Sequence, residues 1–411
     1  MSSGASSAVL DALISSAGEA DPYPLYRELL AAGPIHRGGP DGAWYVFGYE
    51  ACRRVLVDRG CGCRVPADHP PPTAGRLQAS MVMHDPPEHA RLRRAISWAF
   101  TPVEVEPLRN RIVTLTDRAL EAMAGKGGGD VIAELAYPLP AAVIGELLGL
   151  SPEDADQFQA LAALSVAAPR TGDEASLVEQ AARDADARLE ACFHELIESR
   201  RRRPSGDVLG KLVALSDGAA VANGTGKALG SPAALSESEL LSTVMLLYIA
   251  GVLTTTSFIG NGLLALIAHP EQIRRVRADP SRLPDVVEEV LRWDNPVPVV
   301  ARNVFEPLAV GGATLQSGDR VVVVLGAGNR DPARFNDPDR FLPGRPHNVP
   351  LSFGWGVHRC VGAHLARLEA EVVFGRLLER FAVEPAELDP PRLPGLMIRG
   401  PTRLPVHLVP R

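Results

Sequence analysis

Phe353-Gly354-Trp355-Gly356-Val357-His358-Arg359-Cys360-Val361-Gly362 is the stretch on which the reading of this 411-residue chain turns. It is a glycine-rich loop that delivers one cysteine to the start of an apolar helix predicted over Ala363 to Phe381. Glycines at 354 and 356 let the backbone pass close to something flat and bulky, where a Cβ would collide. The N–H groups at the helix start, with His358 and Arg359 beside them, favour thiolate over thiol at Cys360. A lone thiolate with no Cys or His partner at zinc spacing suits the axial position of a haem iron. The competing reading is a buried structural cysteine beside a turn, and for an isolated cysteine it is the commoner one. The rest of the chain has to separate the two.

Composition describes an ordinary globular protein, with 46% hydrophobic residues and a formal net charge of −7 from 42 basic and 49 acidic side chains. That balance argues against a nucleic-acid binder. The one basic run, Arg200-Arg201-Arg202-Arg203, reads as a solvated helix C-terminus. The cysteines at 52, 61, 63, 192 and 360 form no disulfide framework and fit a reducing cytoplasm. Cys61-x-Cys63 lies in a Gly/Pro-rich stretch without partner ligands, which argues against a metal site there. Residues 1–20 are small and polar, have no signal-peptide pattern, and are expected to be a flexible N-terminus. Leu246 to Ile267 is the nearest approach to a membrane span, and Gly, Thr, Ser and Asn interrupt it, so no membrane association is expected. A monomer is expected.

Short strands are predicted near Ile35-His36 and Trp44 to Phe47, then a helix from Tyr49 to Val57 and a long loop over 59–83. An amphipathic helix follows, Glu88 to Phe100, with Asp85 or the prolines 86 and 87 as its start signal. Helices continue over 103–123, 131–149, 152–169 and 174–203, with Gly125 to Gly129 as a flexible connector and 216–234 as a loop. Ser236-x-x-Glu239 is a capping box opening a helix to about His269, roughly 48 Å long. A helix from Leu283 to Trp293, strands around 299–304, 308–310 and 320–324, and a C-terminal β-ribbon over 383–411 complete the chain. With no linker between equal halves, residues 1–411 read as one mainly α domain with small β-sheets.

Several further groupings carry chemistry. Glu289 and Arg292 are three apart, neighbours on one helix face. His89 and Arg93 are four apart, while Arg302 follows Pro296-Val297-Pro298-Val299-Val300-Ala301. The long helix contains Ala250-Gly251-Val252-Leu253-Thr254-Thr255-Thr256, where Gly251 weakens the helix and the Thr254 hydroxyl can bond the carbonyl of Ala250. Together these open a groove. Each grouping alone reads as a surface ion pair, solvated side chains or a helix irregularity.

Taken together they resemble the cytochrome P-450 superfamily. Phe353, Gly356, Cys360 and Gly362 match its F-x-x-G-x-x-x-C-x-G loop, and Glu289 with Arg292 its E-x-x-R pair. The turn-rich segment Asn329 to Phe341 is also similar, and the resemblance covers nearly the whole chain from Asp21 to Leu404. It implies the triangular, mainly α fold of that family, with haem b between the long helix and the cysteine helix. It implies that Cys360 is the axial thiolate and that Phe353, Gly354 and Gly362 bound the haem. His89, Arg93, Arg302 and His358 would meet the propionates, and the Glu289–Arg292 pair would lock the core. Thr254 would relay protons in an oxygen groove formed with Ala250 and Gly251. The acid that the family places before this threonine is Leu253 here, so either Thr254 and water suffice or the oxidant is used differently, as in coupling or ring formation.

The resemblance further implies a soluble, cytoplasmic bacterial-type enzyme fed by a ferredoxin and a ferredoxin reductase docking on the Cys360 side. The substrate would be a hydrophobic or aromatic small molecule, tailored in natural-product biosynthesis by hydroxylation or coupling. Its pocket is expected to draw on the loop 64–83, the segment 160–180 and Leu246 to Leu253, and on Val297 to Val300 and Leu396-Met397-Ile398, with Met81, Val82, Leu247, Val297, Val299, Val300 and Met397 as lining. Arg64 and Arg170 are candidates for a polar substrate group. Two alternatives stay open: a peroxygenase using hydrogen peroxide directly, and a non-catalytic haem sensor or recruitment module.

Overall fold

The computed structural model describes residues 3–15, 20–39, 42–64, 77–151, 158, 160–161, 173–219, 221–222 and 235–411. Most of the helix expected over 152–169, most of the loop over 216–234, the middle of the loop over 59–83, and Arg170 lie outside these residues.

Helices dominate, arranged around Glu237–Ala268. The capping box starts this helix: the Ser236 hydroxyl accepts from the Glu239 amide, and the Glu239 carboxylate accepts from the Ser236 amide. It is long and apolar enough to cross a membrane, but most of its apolar stretch is buried inside the protein. That is how a core helix of a large domain reads, hydrophobic on all sides. Against it pack the cysteine helix Ala363–Arg380, the helix Leu283–Trp293 and the helix Pro138–Leu147.

The sheets are small. Five strands run in the order Ile35–Gly38, Ala43–Val46, Arg320–Val324, Val299–Val304, Cys61–Gly62, all antiparallel except the pair of Ala43–Val46 with Arg320–Val324. The C-terminal ribbon pairs Phe381–Pro385 with Pro405–Pro410. Its third strand is Gly128–Asp130, inside the stretch expected to be a flexible connector. A Cβ on Gly128 would meet the Val406 carbonyl oxygen at 2.1 Å, so glycine is what lets the partner strand close. The N-terminus also departs from expectation: residues 3–13 form a helix whose Leu10 and Leu13 are fully buried against Tyr26 and Leu29. Two helices, Val208–Ser216 and Pro270–Ala278, lie where no helix was expected.

Candidate active site

The cysteine loop ends on a short turn, Gly356–His358, before the cysteine helix. Gly356 has φ +71°, and a Cβ there would meet the Leu56 carbonyl oxygen at 2.6 Å, so only glycine fits. The Cys360 amide donates to the carbonyl of Phe353 (2.8 Å), pinning the loop shut beneath the sulfur. Arg367 stacks over the Phe353 ring at 4.5 Å. Cys360 is exposed, and the surface it presents is cavity wall.

That cavity encloses about 1330 Å³ of atom-free space, its mouth included. Its floor is Phe353, Gly354, Cys360 and Gly362, and its roof is the long helix through Leu247, Ala250, Gly251 and Thr254. His89, Arg93, Arg302 and His358 stand on its wall, as do Met81, Val82, Val297 and Val300. Residues scattered over 280 positions therefore meet at one cavity. The Thr254 hydroxyl donates to the Ala250 carbonyl at 2.7 Å. Gly251 has a second reason to be glycine: a Cβ would meet Cγ1 of Ile144 at 2.7 Å, so it lets the helix Pro138–Leu147 approach.

Four predicted residues are placed elsewhere. Val299 points away because strand side chains alternate: Val300 reaches the cavity while Val299 packs on the cluster around Tyr26 and Phe47. Met397 is 74% exposed and does not line the cavity. Leu253 is also off the lining. Arg64 stacks on Phe305 at 4.5 Å instead of facing the cavity.

Burial raises the Cys360 thiol, whereas the Gly362 amide and the guanidinium groups of Arg93, Arg367 and Arg359 pull it down. A metal ion coordinated by the sulfur would deprotonate the thiol outright. Burial likewise depresses His89, to about 4, with His358 and Arg93 adding to the effect. The His89 and His358 ring centroids lie 4.2 Å apart, the rings tilted 54° to one another.

Among the described residues neither Arg93 nor Arg302 has an ion-pair partner, although Arg302 is only 8% exposed and donates to the Ala301 carbonyl. One buried and one half-buried guanidinium group without a carboxylate, beside an apolar slot closed by one cysteine, fit a flat macrocycle bearing two propionates. The residues therefore fit haem.

Two features were not anticipated. Asp85 does not cap the helix after it. Its carboxylate accepts from the amides of Cys63 (2.9 Å) and Arg64 (3.0 Å) and lies 3.3 Å from His358 Nε2. Burial favours its neutral form, but these hydrogen bonds outweigh burial and hold the carboxyl well below the usual range. The second is Glu369, a carboxyl on the cavity wall that is 1% exposed.

Behind the floor lies an ion network. Arg292 is fully buried and grips fully buried Glu289 with two nitrogens, at 2.9 and 2.8 Å. The same carboxylate accepts from the Leu342 amide, Arg345 and Asn348. The remaining Arg292 hydrogens reach the carbonyls of Asn329, Pro338 and Arg340. These three sit in the segment leading to the cysteine loop, so the pair ties that segment to the core.

Fold, cavity and a single facing cysteine define a haem-thiolate protein. The family model for cytochrome P450 matches residues 175–403. The cytochrome P450 monooxygenase PikC of Streptomyces venezuelae is 37% identical over 94% of this chain and 91% of its own length. The 6-deoxyerythronolide B hydroxylase of Saccharopolyspora erythraea is 33% identical over 94% of this chain and 95% of its own. Among solved structures, P450BioI in complex with a fatty-acyl carrier protein shares 33% identity and a TM-score of 0.84, covering 95% of this chain and 99% of the other. This chain belongs to the cytochrome P450 family. It is an enzyme of the monooxygenase class, and its cofactor is haem b with an axial cysteine thiolate.

Proposed function

We propose that this chain oxidises a hydrophobic small molecule in natural-product biosynthesis, drawing electrons from a separate ferredoxin and its reductase. The observation that carries the reading is the apolar cavity between Thr254 and Cys360, with Arg93 and Arg302, which have no ion-pair partner among the described residues, on one wall. Cys360 would hold the haem iron, Arg93, Arg302, His89 and His358 would hold the propionates, and Phe353, Gly354 and Gly362 would bed the ring. The bound haem would supply the oxidising chemistry, which a thiolate ligand favours. The protein's own share is to exclude water with Leu247, Val297 and Val300 and to present the Thr254 oxygen as an acceptor. Its own hydrogen is committed to Ala250. Relatives named for polyketide biosynthesis, PksS of Bacillus subtilis among them, support a polyketide-like substrate class.

The test is the reduced, carbon-monoxide-bound spectrum. Wild-type protein should show the strongly red-shifted Soret band of thiolate ligation, and Cys360→His should lose it. A histidine-like spectrum in the wild type overturns the reading. Leu253 favours one second reading, direct use of hydrogen peroxide. It predicts faster turnover with peroxide than with ferredoxin.

A further inference from the structure

Cys63, Asp85 and His358 come from three separate stretches of the chain: the end of the strand Cys61–Gly62, the turn before the helix Glu88–Ser97, and the cysteine loop. The first two are 22 residues apart and the last two 273, so no sequence spacing announces them. In the fold the Cys63 sulfur, an Asp85 carboxylate oxygen and a His358 ring nitrogen lie within 4.8 Å of one another. Among the described residues no other three groups of this kind come together as closely.

Backbone pins both carboxylate oxygens of Asp85, the Cys63 amide holding Oδ1 at 2.9 Å and the Arg64 amide holding Oδ2 at 3.0 Å. Gly62 makes that approach possible, since a Cβ there would meet Oδ2 at 2.1 Å. Hydrogen bonds of this kind orient a metal-ligating carboxylate. Nε2 of His358 stands 3.3 Å from Oδ1, which leaves Nδ1 for a haem propionate, so the two roles of the ring use different nitrogens. All three residues are partly exposed, so an ion can enter from solvent.

One sulfur, one nitrogen and one oxygen make the ligand set of a tetrahedral zinc site whose fourth position is open to water. Its ligand atoms would stand roughly 3.3–3.8 Å apart, so the widest pair here must close by about 1 Å. Mg2+ and Ca2+ prefer oxygen alone. The thiolate and the carboxylate together cancel the charge of Zn2+, so Arg302, which acts on Cys63 electrostatically, faces a neutral site and not a cation.

We propose that Cys63, Asp85 and His358 bind one Zn2+ ion beside the cofactor cavity, tying the strand end, the helix start and the cysteine loop together. The site is separate from the iron that Cys360 would hold and does not depend on the oxidation proposed above. Zinc sheds water as it binds. The Cys63 S–H bond breaks and its proton goes to solvent, while His358 gives up its Nε2 proton and stays neutral with a hydrogen on Nδ1. Zinc accepts the two freed electron pairs, and no electron is transferred.

The test uses tag-free holoenzyme, stripped with EDTA and dialysed against zinc chloride. Wild type should retain one zinc per chain. Its zinc-edge X-ray absorption should show one sulfur neighbour at about 2.3 Å, with nitrogen and oxygen at about 2.0–2.2 Å. Cys63→Ser should lose the sulfur neighbour and bind zinc about tenfold more weakly or worse, since losing even an outer-shell partner costs that much. Wild type that retains no zinc, or whose zinc has no sulfur neighbour, overturns the proposal, as does C63S that binds zinc like wild type. If C63S does not fold, Asp85→Asn takes its place with the same expected loss, and an unchanged affinity in D85N overturns the proposal.

Discussion

Removing Glu289 should cost this protein its cofactor or its solubility. The carboxylate is fully buried and accepts from both guanidinium nitrogens of Arg292, from Arg345, from Asn348 and from the Leu342 amide. Glu289→Ala leaves the buried Arg292 charge uncompensated, which costs about 3–5 kcal/mol. It also strands the Leu342 amide, for about 1–3 kcal/mol more. The total is comparable to the whole stability of a typical domain, about 5–15 kcal/mol. Because Arg292 also clamps the carbonyls of Asn329, Pro338 and Arg340, the loss is directed at the segment that presents the cysteine loop. E289A should therefore be insoluble, or soluble and haem-free. Glu289→Gln, which keeps an acceptor oxygen without the charge, should fall between. Soluble yield, haem content and urea midpoints measure this. Soluble E289A with full haem content and an unchanged midpoint refutes the reasoning.

Three other outcomes are expected. The Glu369 carboxyl ordinarily titrates near 4.5 and is raised to about 8 in the fold, so the folded state keeps a proton that the unfolded chain releases, and stability falls as pH rises between those values. In haem-free protein, Glu369→Gln should gain over wild type from nothing near pH 4.5 to at most about 4–5 kcal/mol at pH 8; a pH-independent difference between their urea midpoints refutes it. Asp85→Asn removes the charge that joins the Cys63 and Arg64 amides to His358, so haem transfer to apomyoglobin should speed up about tenfold; an unchanged rate means that Asp85 does not steady the propionate side. Leu247→Ala should weaken binding of a phenylimidazole probe, measured by its spectral shift, whereas exposed Met397→Ala should leave it unchanged.

How much was legible followed the range of each interaction. The Cys360 loop and the Glu289–Arg292 pair are local patterns, within ten residues and within one helical turn, and both appear as patterns in the chain. Asp85 looked like a helix start because its partners lie at Cys63 and His358, positions that no local spacing links to it. Gly128–Asp130 has no strand propensity, and the ribbon 405–410 pulls it into a sheet. Val299 was chosen along with Val300 although a strand can send only one of two adjacent side chains to one face. Some signals were present and unread. Asp207 caps the helix Val208–Ser216 through the Gly210 amide, and Pro270 opens the next unpredicted helix. Glu369 follows Leu365 by four and precedes Val372 by three, which already puts a carboxyl on the apolar face of its helix.

Asp85, which reaches the cavity only through its contact with His358, and Glu369 on the cavity wall are pushed to opposite protonation states by their surroundings. Both are partly or wholly withdrawn from water, which favours the neutral acid. Asp85 escapes that fate because two amides and His358 supply hydrogen bonds to the charged form. Glu369 does not escape it, because no donor is aimed at Oε1 and no cation contributes. The guanidinium groups of Arg93 and Arg302, which have no carboxylate partner among the described residues, line the same cavity without contributing to that shift. An arginine moved next to Glu369 would hold its carboxyl low, as His358 helps to hold Asp85.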